Sequence, residues 1–205
     1  MINIVNQNDI NRLIKADKIF HRIFLRYGAP PNWLRPQGFI TLSKIILGQQ
    51  VSLESANAHF KKLNDHLPAF TPDEIIKLSD GDMRNCQISR QKSGYLRSLS
   101  NAIINGDVDF NKLSGMQNSD VKDKLKMIRG IGDWTADIYL MFCLQAKDVF
   151  PIEDIAVTTT IKELTKVAIK DEIISLSEKW KPNRSLAAFF LWHYYLNKRN
   201  RNAII

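Results

Sequence analysis

Three features of this chain have residue types able to do chemistry: the carboxylate Asp154, the glycine pair of Gly130-Ile131-Gly132, and the tryptophans Trp134, Trp180 and Trp192. Asp154 closes the segment Pro151-Ile152-Glu153-Asp154, 22 residues after Gly132, and a helical run starts at Ile155. A helix start favours the carboxylate anion, which suits stabilising a developing positive charge or accepting a proton rather than donating one. The same position also reads simply as the N-cap of the helix. Glu153 is the rival, because adjacent loop residues point in different directions and only one can serve a given centre. Two glycines around one aliphatic residue favour a tight hairpin. A helix that starts there leaves backbone N–H groups for a phosphate.

The elements that must position these residues follow from periodicity. The run Leu125–Asp154 reads as helix, glycine hairpin and helix, with Asp133 as N-cap and with Trp134, Ile138, Met141, Phe142, Gln145 and Ala146 at helical spacing. Residues 8–27 read as one amphipathic helix stopped by Gly28-Ala29-Pro30-Pro31, with Trp33 as a packing residue in the turn. Phe39, Leu42, Ile45 and Ile46 form a buried stripe that breaks at Gly48-Gln49-Gln50-Val51-Ser52, and a helix resumes over 53–67. Thr71 caps a short helix opening on Pro72, Arg90–Ile104 forms another, and the helix feeding the hairpin starts near Ser119. Further helices are expected over 158–168, 171–180 and 184–197. No sustained apolar/polar alternation and no repeat occurs, so the fold class is all-α, ten or so short helices in two lobes, forming a single catalytic unit over 1–205.

Composition sets bounds. The chain has 205 residues, 29 Lys and Arg against 21 acids, and a formal charge of +8, which suits a polyanionic partner. The two cysteines, Cys86 and Cys143, argue against a disulfide scaffold and for a reducing compartment. The N-terminus has early charges and no apolar core of a signal peptide, and no 18-residue apolar run is present, so no membrane association is expected.

The ordered series L-x-x-x-x-G-I-G-D-W-T-A from Leu125, followed by P-I-E-D-I-A-V from Pro151, resembles the helix-hairpin-helix superfamily of DNA base-excision glycosylases. Trp134-Thr135-Ala136, Gln145-Ala146-Lys147-Asp148-Val149-Phe150 and the W-x-P-x-R-S turn from Trp180 are most similar to its DNA-3-methyladenine glycosylase II branch, and the string from Arg90 resembles the superfamily's R-x-K-a-x-x-L element. The resemblance covers residues 36–197. It implies a two-lobed helical fold without an iron–sulfur cluster, since two cysteines cannot build a four-cysteine site. No strand pattern precedes Gly38, so the β-rich N-terminal domain of some relatives is not expected.

The resemblance further implies a monofunctional glycosylase that hydrolyses the N-glycosidic bond of alkylated purines such as 3-methyladenine and 7-methylguanine. Asp154 takes the catalytic place; the branch tends to set two acids directly after the proline, whereas Ile152 intervenes here. Superfamily members that also cleave the backbone carry a lysine where this chain has Trp134, and an indole forms no Schiff base. Trp134, Trp192, Ile138 and Ile155 fall at base-pocket positions, with Trp192 stacking on a cationic base. The two isoleucines replace aromatic residues of the branch. His193 is expected to be a satisfied buried histidine. Gly130, Ile131, Gly132, Gln49, Gln50 and Arg184 are the expected DNA contacts, with Gln50 as the wedge that fills the gap left by an extruded base. No cofactor is expected beyond a structural Na+ or K+ ion at the hairpin when DNA is bound, held by the backbone carbonyls of Lys126, Ile128 and Ile131. The implied partner is double-stranded DNA with a damaged base, bound by a monomer, cytoplasmic and nucleoid-associated in a bacterium or nuclear in a eukaryote. Two alternatives stand beside this: a glycosylase for an oxidised or deaminated base, and a non-catalytic hairpin module that only binds DNA.

Overall fold

The computed structural model describes residues 3–201, and among them it is helical throughout, with no strand. In chain order the helices are α1 (Gln7–Ala16), α2 (Lys18–Tyr27), α3 (Phe39–Gly48), α4 (Leu53–His66), α5 (Pro72–Lys77), α6 (Asp80–Asn85), α7 (Arg90–Ile104), α8 (Phe110–Leu113), α9 (Asn118–Lys126), α10 (Asp133–Phe142), α11 (Ile155–Thr165), α12 (Lys170–Ser177) and α13 (Arg184–Lys198), with a 3-10 turn at Glu178–Trp180. The chain divides into two compact units, one holding residues up to Leu34 and those from Leu140 onward, the other Arg35–Tyr139. No helix among the described residues is long and apolar enough to cross a membrane.

The Arg35–Tyr139 unit is a stack of short capped helices. Ser52, Thr71, Ser79 and Ser89 each accept a backbone N–H three residues on, which satisfies an orphan donor of the first turn. At Ser79 the reciprocal bond from Asp82 completes a capping box. Helix α7 packs against α3, α5 and α6, and buries Leu96 and Leu99. From α3 come Leu42, Ile45, Ile46 and Leu47, all without appreciable exposure. Burying each such side chain contributes about 1.5–3 kcal/mol before entropy is counted.

The other unit is built on α13. Residues Leu186–Trp192 are buried on every side, so this helix is a central pillar rather than an amphipathic cover. Helices α2 and α11 flank it. Phe20 stacks edge-on against Trp180 at 5.0 Å and Trp33 against Phe189 at 5.1 Å, which bears out Trp33 as a packing residue.

Several boundaries differ from the sequence expectation. Residues 8–27 are two helices, broken at Asp17. Its backbone is extended, its Oδ1 accepts the Ile19 N–H at 2.9 Å, and its Oδ2 accepts the Trp180 indole N–H at 3.0 Å. Asp133 is the first helical residue and not a cap; its carboxylate pairs with Lys126 and Lys122 instead. Helix α10 ends at Phe142, because Gln145 adopts φ 52° and its side chain turns back to the Met141 carbonyl. Helix α11 starts at Ile155, the earlier of the two starts expected, and closes at Lys166 with φ 68°, short of the expected 168.

Candidate functional site

In the unit that holds residues from Leu140 onward, the candidate site centres on Asp154. Its main-chain N–H donates to the Pro151 carbonyl at 2.9 Å, closing a turn that delivers the side chain to the start of α11. Oδ1 accepts the Val157 N–H at 2.9 Å, as an N-cap does, and also the Trp192 indole N–H at 2.9 Å. Only 7% of Asp154 is exposed. Two N–H donors hold this buried carboxylate in one rotamer. The N-cap reading of Asp154 therefore holds, and the cap fixes the carboxylate at the start of α11. Glu153 has neither feature: its side chain is half exposed and ion-paired with Lys170.

The turn is anchored from behind. Ser185 accepts the Val149 N–H at 3.0 Å and donates to the Ala146 carbonyl at 2.6 Å, while the Ser185 N–H reaches the Lys147 carbonyl at 3.1 Å. Arg184 grips Asp148 through Nε at 2.8 Å and a terminal nitrogen at 2.9 Å, and gives its other arm to Glu178 at 2.9 Å. The segment Gln145–Phe150 is thus clamped to the first turn of α13 just ahead of Pro151. Sequence reasoning missed Ser185 and Asp148 as anchors. The signal was the joint presence of the Ala146–Phe150 and Pro182–Ser185 strings, which are 36 residues apart and hydrogen-bonded to each other.

Two expected site residues have partners within the protein. Arg184, an expected DNA contact, has its guanidinium engaged by two carboxylates within its own unit. Trp192 was expected to offer a stacking face, but it is 0% exposed, ringed by Trp33, Phe142 and Phe189 at 5.5–6.2 Å. What it presents to the site is its N–H. His193 is satisfied, between the Tyr27 carbonyl at 2.9 Å and Asn197. Ile155, by contrast, is 78% exposed immediately beside Asp154.

In the Arg35–Tyr139 unit the hairpin spans Met127–Gly132, between α9 and α10. The Ile131 N–H closes on the Ile128 carbonyl at 3.1 Å. The two glycines do different work. Gly130 has φ 97°, and a Cβ there would meet the Tyr95 ring at 2.2 Å, so both conformation and space require glycine. Gly132 has no positive φ, is exposed, and a Cβ there would meet nothing within 4 Å. Nothing inside the protein requires glycine at 132; its open side lies where an external backbone can approach. Gln50 sits in the left-handed region at φ 57° with its side chain exposed, and Gln49 turns inward to the hairpin. Trp134 is half-buried on the first turn of α10. Ile138 is another correction: its side chain has no exposed surface, so it packs rather than lining an open pocket.

Comparison with known proteins agrees with this arrangement. Residues 43–182 match the model of the HhH-GPD superfamily of base excision DNA repair proteins. The chain is 33% identical over 172 residues to a DNA-3-methyladenine glycosylase of Bacillus subtilis, covering 77% of this chain and 57% of that protein. It is 30% identical to DNA-3-methyladenine glycosylase 1 of Schizosaccharomyces pombe, covering 74% of this chain and 69% of that one. The fold superposes with a TM-score of 0.83 on the S. pombe 3-methyladenine DNA glycosylase Mag1 in complex with abasic DNA, at 27% identity, covering 91% of this chain and 95% of that one. The chain spans 57% and 63% of the length of two B. subtilis relatives that it matches. By the family match and by these likenesses, the chain belongs to the HhH-GPD superfamily of base excision DNA repair proteins.

Proposed function

We propose that this protein is a monofunctional DNA glycosylase that releases alkylated purines, of the 3-methyladenine and 7-methylguanine type, from double-stranded DNA. The observation that carries the reading is Asp154: a buried carboxylate fixed by the Val157 and Trp192 N–H groups, on a turn clamped to α13. The damaged nucleotide is extruded from the duplex. As the N-glycosidic bond breaks, its electron pair leaves with the base and the sugar takes on oxocarbenium character, which the Asp154 anion stabilises. Water adds to the sugar carbon and passes a proton to the carboxylate or onward to solvent. A cationic alkylpurine leaves as a neutral base, so no general acid is needed. Trp134 stands where a lyase would have its lysine, so the strand stays intact after base release. Trp134 is half-buried in its own unit and Ile155 is exposed beside Asp154 in the other.

The hairpin supplies positioning. The N–H groups of Gly130 and Gly132 bind backbone phosphate without reading sequence. Lys126 ends α9, so its carbonyl lies beyond the helical ladder, and the Ile128 carbonyl keeps a lone pair besides the one facing the Ile131 N–H. With the Ile131 carbonyl these oxygens suit a Na+ or K+ ion, which supplies positive charge toward the phosphate when DNA is bound. Gln50 is the wedge, and the protein acts as a monomer, in the nucleoid of a bacterium or the nucleus of a eukaryote. The test is release of a specific free base from a panel of duplexes carrying alkylated, oxidised or deaminated bases. Release of 3-methyladenine or 7-methylguanine with no borohydride-trapped adduct is expected. Release of only oxidised or deaminated bases would favour another lesion class, and no release would leave a DNA-binding module.

A further inference from the structure

The Gln49 amide joins two segments far apart in sequence. Its Nε2 donates to the Gly130 carbonyl at 2.9 Å and to the Thr135 hydroxyl at 2.9 Å, 81 and 86 residues away. A carbonyl only accepts, so the Gly130 contact fixes which end of the amide faces the hairpin. Both amide hydrogens are thereby engaged within the protein. Two further struts meet at the same place. Lys92 donates to the Leu47 carbonyl at 2.6 Å, holding the C-terminal end of α3 just before the loop. Tyr95, one turn along α7, lays its ring on Gly130, and its hydroxyl is held by Gln91 at 2.6 Å. Gln50 itself projects outward from a left-handed backbone between these fixed points.

From this we infer that Gln49 is a positioning residue: it locks the wedge loop to the hairpin, so that seating the hairpin on a phosphate also aims Gln50 at the base stack. The inference rests on the glycosylase reading above and on Gln50 as wedge. It replaces the expectation that Gln49 contacts DNA, because a direct contact would need the amide hydrogens that Gly130 and Thr135 already take. The loop has few other means of holding its direction. Val51 and Ser52 are exposed, and the cap bond of Ser52 serves α4. A rigid brace makes extrusion conditional on hairpin engagement, and spares the enzyme ordering the loop each time it meets a duplex.

The test uses Gln49→Met, which keeps length and removes both donors, and Thr135→Val, which keeps shape and removes one acceptor. For the full chain, three quantities are measured: affinity for an abasic duplex, single-turnover base release from a methylated duplex and from the same single strand, and extrusion of 2-aminopurine by fluorescence. Losing two neutral hydrogen bonds should lower duplex release and extrusion roughly ten- to a hundredfold relative to the single strand, with abasic-duplex affinity within about threefold. Thr135→Val should show a smaller loss of the same kind, and the double variant should be no worse than Gln49→Met alone, since both remove one contact. Equal loss on duplex and single strand, or a fall in affinity that matches the fall in release, would overturn the brace. Failure of the wild type to release any base would instead sink the glycosylase reading, while the extrusion signal would still judge the brace.

Discussion

Replacing Trp192 with phenylalanine separates two roles that a tryptophan in this position could have. The ring of Trp192 is wholly buried against Trp33, Phe142 and Phe189, and its N–H donates to Asp154 Oδ1 at 2.9 Å. Phenylalanine keeps most of the packing and removes only the donor and part of the ring. Asp154 would retain the Val157 N–H but lose a hydrogen bond to a charged acceptor, worth about 1.5–3 kcal/mol. If that bond fixes the carboxylate beneath the sugar, single-turnover release should fall by about one to two orders of magnitude. The fall should be the same for cationic 7-methylguanine and neutral hypoxanthine, because the indole face touches neither. Affinity for an abasic duplex should hold, and a melting measurement on the same preparation removes the contribution of the packing defect. Undiminished release, or a loss confined to cationic bases, would refute this reasoning and restore Trp192 as a stacking surface.

Other consequences can be checked with single variants. Gly130→Ala should cost about 1–3 kcal/mol of stability through its φ and the Tyr95 ring, whereas Gly132→Ala should melt like the wild type yet bind every duplex more weakly. Duplex affinity of the wild type should fall by about 0.9 log unit per log unit of salt for each phosphate neutralised, which a titration from low to moderate salt would measure. Arg184→Gln should lower the melting temperature by removing the Asp148 and Glu178 pairs, a loss of ~1–2 kcal/mol, and leave that salt slope unchanged. Burial works against the charge of Asp9, but hydrogen bonds from Lys147 and Asn6 and the charges of Lys147 and Arg12 outweigh it and hold its carboxyl below 3.8. A depressed carboxylate contributes stability above its unfolded value that is lost as pH falls through the folded one, so Asp9→Asn should make the decline in melting temperature below about pH 4 shallower.

What the sequence made legible was local. Thr71 and Asp154 are caps because a short polar side chain meets a backbone N–H three residues ahead, and α7 runs from Arg90 to Ile104 as its periodicity predicts. The glycine hairpin and the carboxylate turn were visible for the same reason. Features decided by distant partners were not. Asp17 interrupts 8–27 without disturbing the apolar phase on either side, and the indole that rewards the break belongs to Trp180. Asp133 looks like a cap, yet two lysines of α9 draw its carboxylate away. The residue type at 192 announces an aromatic near the site; only packing decides whether its face or its N–H is presented. Arg184 reads as a phosphate ligand until Asp148 is brought to it across 36 residues.

The central claim is that the charge of Asp154 acts on the sugar and not on binding, and Asp154→Asn tests it most directly. Asparagine keeps an oxygen for the Val157 N–H and caps helices about as well as aspartate, so the fold should persist. The measurement is single-turnover release of 7-methylguanine from a methylated duplex, set beside affinity for an abasic duplex. The account predicts that release is abolished while affinity stays within a few-fold of the wild type. Release near the wild-type rate from Asp154→Asn, with Glu153→Gln inactive in its place, would contradict it.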